Sequence, residues 1–229
     1  MQTQNVLVSE ATEFEKATFY QKTYLHVALA VLAFILVESI LLKVVPERMI
    51  FSMVASQYLW LFIIGLFWLG STLSSKMAFS PSQQQQYLGL GAYVILQAII
   101  FLPMIAIATL YAGTDVIMQA ALITLSMFSG LTAVVFFTKT DFSFLRTALV
   151  VGGFISLGII VVGAIFGFNL GLWFSVGMVV LASGSILYQT NQIKDHYGTQ
   201  QYVGASLQLF SSIMLLFWYI LRILMSRRR

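Results

Sequence analysis

The sequence predicts an all-α membrane protein, a bundle of seven transmembrane helices. Three observations lead there. Hydrophobic residues make up 59% of the 229 positions and charged residues 9%, against about 45–50% and about 25% in an ordinary soluble domain. Mean hydropathy is +0.91. Long stretches of the chain carry no charge, and their apolar residues run continuously. Ala98-Ile99-Ile100-Phe101-Leu102 and Ile159-Ile160-Val161-Val162 do not alternate as the strands of a membrane barrel must. So apolar a chain cannot cover itself with polar groups in water, whereas lipid accepts apolar surface and requires closed backbone hydrogen bonding.

A crossing needs about 20 mostly apolar residues. The first candidate is 24–45, which contains His26, Glu38 and Lys43. Met49–Ser75 is 27 residues without charge and yields a span at 54–74. Met77–Thr114 is 38 residues, but Pro81 and Gln83-Gln84-Gln85-Gln86 occupy its start, so the third span is placed at 87–111. Val116–Thr138 supplies the fourth. Thr147–Ile193 is 47 residues, enough for spans at 145–166 and 171–190 with a turn at Gly167-Phe168-Asn169-Leu170-Gly171. The seventh is 203–224. Residues 1–23 read as a polar tail without the apolar run of a cleavable signal, 24–225 as a single domain, and 226–229 as a basic end. Short connections make neighbouring helices antiparallel.

Charge narrows the partners. Twelve Lys+Arg against eight Asp+Glu give +4, but the basic residues sit in short loops and the terminal Arg227-Arg228-Arg229. They are read as topology signals and lipid-headgroup contacts, not as a nucleic-acid surface. The positive-inside rule ties with seven crossings: Lys16, Lys22, Lys76, Lys139, Arg146 and Lys194 lie on one side, and Lys43, Arg48, Arg222, Arg227, Arg228 and Arg229 on the other. A seventh segment that re-entered on its own side would shift the tally to ten against two. Its length favours crossing. The sequence has no cysteine, which excludes thiolate chemistry.

Glu38 is the acidic residue deep in a span. A charged side chain at that depth costs at least about 2.5–3.5 kcal/mol on insertion scales, so it must be protonated, paired or facing water. It is an ion-site candidate, a protonated group hydrogen-bonded to a neighbouring helix, or a side chain reaching the interface with Lys43. Ser185, Gln189 and Gln192 share one face of the sixth span, and Gln208 and Ser212 one face of the seventh. They form either a polar pathway or interhelical hydrogen bonds. Gly152, Gly153, Gly158 and Gly163 in the fifth span, with Gly177 and Gly184 in the sixth, suit close helix approach, and Pro103 predicts a kink in the third. Enzyme signatures are poor. The two histidines, His26 and His196, preclude a histidine-rich metal site. A serine–histidine pair of Ser183-Gly184-Ser185 with His26 is contrived, and Asp115, Asp141 and Asp195 lie at span ends or in loops. No catalytic residue, metal or cofactor is expected.

The string Ile186-Leu187-Tyr188-Gln189-Thr190-Asn191-Gln192-Ile193-Lys194 resembles the end of helix six in the Bax-inhibitor family, the transmembrane Bax-inhibitor-motif proteins. Ala205-Ser206-Leu207-Gln208-Leu209, continuing to Leu216-Phe217-Trp218-Tyr219-Ile220-Leu221-Arg222-Ile223-Leu224, resembles its last helix. Lys139-Thr140-Asp141-Phe142-Ser143-Phe144-Leu145 resembles the loop between helices four and five. The resemblance implies six helices around a central seventh, a cytoplasmic N-terminus, and association with calcium leak, cell-death control or membrane-protein quality control.

It also exposes departures. The calcium-leak branch carries aspartates in helix six and in the last helix, where this sequence has Gln189 and Ser212. Two close carboxyls titrate as a coupled pair. An amide and a hydroxyl do not, and they give calcium neutral oxygens where it prefers carboxylates. Lys76 is the single candidate for the basic residue expected near the end of helix two. Loss of the second aspartate resembles the bacterial YccA-like branch, a modulator of a membrane-anchored AAA protease in the cell inner membrane. Two readings follow: a weak cation (calcium) leak or ion-linked homeostasis factor whose polar core is Glu38, Gln189, Gln208 and Ser212, or a non-conducting modulator of that quality-control protease.

Overall fold

The computed structural model describes residues 6–167 and 170–227. After a 3-10 turn at Val8–Glu10 come α1 (Glu13–Val44), α2 (Glu47–Ala55), α3 (Gln57–Ala78), α4 (Gln83–Ile107), α5 (Thr114–Phe137), α6 (Leu145–Phe166), α7 (Gly171–Asp195) and α8 (Tyr202–Ser226). All except α2 are long and apolar enough to cross a membrane. The protein is a seven-span helical bundle.

Helix ends account for most departures from the sequence reading. α1 begins eleven residues before 24, because Thr12 and Glu15 form a capping box: Glu15 N–H donates to Thr12 Oγ1 and Thr12 N–H to Glu15 Oε2. Residues 13–23 are therefore the first turns of α1, and Phe19 and Thr23 are buried. At 32 residues α1 is about 48 Å long, more than the roughly 30 Å of hydrocarbon, so its polar start extends past the lipid. Pro46 stops it, since the residue before a proline avoids the helical region. α4 starts at Gln83 because glutamine is a good helix former and Gln86 donates from Nε2 to Ser80 O at 2.7 Å.

Pro103 lies inside α4 and cannot donate to the preceding turn. Five residues beyond it the helix widens into a π-helical turn, Ala108–Ala112, which ends at Gly113 with φ +84°. A side chain at that φ would strain the backbone. Of the turn expected at 167–171, Gly167 ends α6 in the left-handed conformation. Phe168 and Asn169 lie outside the described residues, as do Arg228 and Arg229.

α8 is the axis of the bundle. Sixteen of its 25 residues are buried, and it packs on α1, α3, α4, α5 and α7. At 25 residues, about 37 Å, it crosses, so the re-entrant alternative is set aside. Phe34, Phe101 and Phe210 meet edge to face at mid-bundle, joining α1, α4 and α8. α3 and α4 approach closely at Gly89, where a Cβ would lie 2.6 Å from Ser74 O and 2.7 Å from Ala78 N.

Residues 6–8 dock on the turn between α7 and α8. Val8 N–H donates to Tyr197 O and Thr199 N–H to Val6 O, both at 2.9 Å, Leu7 and Gly198 pair as a single antiparallel bridge, and Val8 is fully buried.

Candidate functional site

The polar residues of α8 fall into a short stretch because Ser211 and Ser212 lie three and four residues after Gln208. Each reaches a different helix. Gln208 Nε2 donates to Ser75 Oγ of α3 at 3.1 Å. Tyr93 of α4 donates its hydroxyl to Ser211 Oγ at 2.7 Å. Ser212 Oγ donates to Gln208 O at 3.1 Å and meets Ser185 Oγ of α7 at 2.8 Å. A hydroxyl has one proton, so Ser185 is the donor of that last bond. Each interhelical bond in lipid contributes about 0.6–2 kcal/mol. Together they fix α3, α4 and α7 around α8 with neutral groups.

Gln189 does not join them. Its Oε1 accepts from Tyr197 OH at 3.3 Å, one helical turn from Ser185. The family resemblance paired Gln189 with Ser212. The structure sets Ser185 there instead.

Glu38 stands apart. The buried face of α1 is Phe19, Thr23, Val27, Ala30, Phe34 and Glu38, a spacing of three and four that turns toward α4 and α8. Glu38 is 5% exposed and neither carboxyl oxygen has a hydrogen-bond partner. The one ion pair among the described residues is Lys16–Glu13, so Lys43 does not neutralise Glu38. A buried carboxylate without donors costs several kcal/mol. The group can stay there as the neutral acid or by accepting a cation.

On the N-terminal side of the bundle the helix ends are tied together. Lys194 Nζ donates to Val135 O and Thr138 O at 3.4 Å, where a cation complements the C-terminal end of α5. Tyr20 OH donates to Lys194 O. Asn191 Nδ2 donates to Asp141 Oδ1 at 2.8 Å, which also accepts from Ser143 N–H at 2.9 Å. Ser143 and Asn191 hold the Asp141 carboxyl below the usual aspartate range. Its folded-state value is depressed, so its contribution is complete above the ordinary value of about 3.9 and is lost as pH falls through the lower folded one. Amide protection in residues 138–144, relative to the intrinsic exchange rate at each pH, should fall as the pH drops below about 4, and Asp141→Ala should bring that weaker protection to neutral pH. Exchange unchanged by the substitution would show that the loop does not depend on this anchor.

His26 Nδ1 donates to Lys22 O at 2.6 Å, and its Nε2 is hydrogen-bonded to Tyr87 OH at 3.3 Å. Ser183 bonds to Val179 O, so neither it nor Ser185 is hydrogen-bonded to His26. Among the described residues no three His, Cys, Asp or Glu side chains gather as metal ligands.

On the opposite side two cavities of about 450 and 530 Å³ meet at Trp60, Trp218 and Arg222. The larger descends between α3 and α6 to Tyr93, Gln97 and Ser211. Gln97 is 5% exposed and its Oε1 has no partner. Sequence reading missed Gln97, although it is the one amide in the deep part of the third span. It also missed Ser75, Tyr93 and Ser211, ordinary residues that only the packing of α3 and α4 on α8 selects.

Residues 16–229 match the family model described as "Inhibitor of apoptosis-promoting Bax1". The chain belongs to the Bax-inhibitor family. A Pseudomonas aeruginosa protein described as "Uncharacterized protein PA2604" is 39% identical over 112 residues, 48% of this chain and 50% of that protein. The chain thus spans about half the length of the curated relative it matches. This Bax-inhibitor protein has the central last helix that the resemblance implied, and a pair of serine hydroxyls makes the side-chain hydrogen bond between α7 and α8.

Proposed function

We propose that this Bax-inhibitor protein is a slow cation leak, with calcium among the ions passed, in a bacterial inner membrane with its N-terminus in the cytoplasm. Glu38 is the ion-binding carboxyl. The observation that carries the reading is that Glu38 is buried on the face of α1 toward α4 and α8 with both oxygens unpartnered. A carboxyl so placed costs stability and supplies the oxygen ligands that calcium prefers. The neutral Ser185–Ser212 contact carries no titrating pair, so the leak lacks the pH gate of a coupled acid dyad. Purified protein in liposomes should pass calcium faster than protein-free liposomes, without the step that titration of a coupled acid pair would add. Glu38→Gln should lower the flux. Ser185→Asp with Ser212→Asp, which sets two carboxyls in contact, should make it pH-dependent. Flux equal to that of empty liposomes would defeat the proposal.

The hydrogen-bonded neutral contacts of α8 favour a second reading, a non-conducting modulator of a membrane-anchored AAA protease. Mild crosslinking should then recover that protease, and Val8→Asp, which expels the docked N-terminal arm, should change the recovery. An unchanged partner set with measurable calcium flux would decide for the leak.

A further inference from the structure

We infer that the groove between α3 and α6 holds one acyl chain of an anionic phospholipid whose phosphate rests on Arg222. The walls point to a lipid tail. Ile64 and Phe67 of α3, Leu157 and Ile160 of α6, and Leu215 of α8 line the groove, and α3 and α6 present large apolar side chains outward along their length, so the groove opens toward the bilayer. Its depth fits one leaflet. Arg222 and Ser211 both line it and lie eleven residues apart on α8, about 16 Å along the axis, against about 15 Å for half the hydrocarbon thickness. Tyr93, Gln97 and Ser211 mark the inner end, where a tail has nothing more to gain.

The charge at the mouth selects the headgroup. Arg222 is four residues before the end of α8, about 6 Å from it, which is headgroup depth. No carboxylate pairs with it among the described residues. Trp60 and Trp218 flank it, as tryptophans do at a membrane interface. A guanidinium fits phosphate oxygens with two parallel N–H donors. An arginine that merely reached for the interface would need no groove beneath it.

Protein purified in mild detergent, stripped of lipid and re-exposed to equimolar phosphatidylglycerol and phosphatidylcholine, is examined intact by mass spectrometry. One phosphatidylglycerol should be retained in preference. Arg222→Gln should reduce the preference about fivefold, the equivalent of about 1 kcal/mol per basic residue at an anionic surface, and Arg222→Lys should keep most of it. Ala164→Trp, which fills the groove wall and leaves the charge, should abolish retention of either lipid. Equal retention of the two lipids by the unaltered protein, or retention indifferent to both Arg222→Gln and Ala164→Trp in variants with native elution, would overturn the assignment. The readout is bound mass, so it is independent of whether the protein conducts.

Discussion

Glu38→Leu is expected to raise the stability of the protein by about 1–3 kcal/mol and to abolish its calcium flux. The carboxyl is buried with no donor for either oxygen, and an unsatisfied buried polar group costs that amount. Leucine fills a similar volume and suits the neighbourhood of Phe34, one turn away on the same face. Glu38→Gln separates the two effects, because it removes the ionisable oxygen but keeps a polar group in need of partners. Its flux should fall without the gain in stability. Thermal unfolding in detergent measures the first quantity and liposome flux the second. A destabilised Glu38→Leu would mean that the carboxyl has a structural partner, such as bound water, and that the site is not a vacant acid.

Gly89→Val should destabilise by at least about 1–3 kcal/mol and loosen α3 from the bundle. The added Cβ would lie 2.6 Å from Ser74 O and 2.7 Å from Ala78 N. Both are backbone atoms of α3, which cannot rotate aside as a side chain can. α3 must move away from α4, and Ser75, next to Ser74, would then lose its bond from Gln208. Gly91→Ala is the matched control, since nothing lies within 4 Å of its Cβ position, and it should be close to neutral. Thermal unfolding of the two variants side by side distinguishes a close helix contact from a general aversion to replacing glycine.

The spans were legible because lipid imposes a simple requirement, an uncharged stretch long enough to cross. The boundaries were less so. Residues 13–23, 83–86 and 191–195 are polar, and the sequence alone ended helices there. Their helical state rests on the Thr12–Glu15 capping box, the Gln86–Ser80 bond and the ties of Asn191 and Lys194. Glu38 was legible because an acid in a span is costly wherever it faces. The partners of the α8 polar groups were not. Helical periodicity tells which residues share a face, but it says nothing of the axial offset between two helices. One turn of offset exchanges Gln189 for Ser185 opposite Ser212. Arg222 counted in the sequence only as a charge at a span's end, and its place above a groove comes from the spacing of α3, α6 and α8.

The position of α8 at the axis has a consequence for biosynthesis. The ribosome makes the six outer spans first, so they enter the membrane before the segment that will separate and join them exists. Until then the faces of α1 and α4 that carry Phe34 and Phe101, and the hydroxyl of Tyr93, have only lipid or one another to meet. Arrival of the last span closes the assembly and also brings up the turn on which Val8 docks. The segment ahead of α1 is thereby joined to the turn ahead of α8, and a chain stalled before Tyr197 would leave Val8 unfastened, a visible mark of an unfinished product.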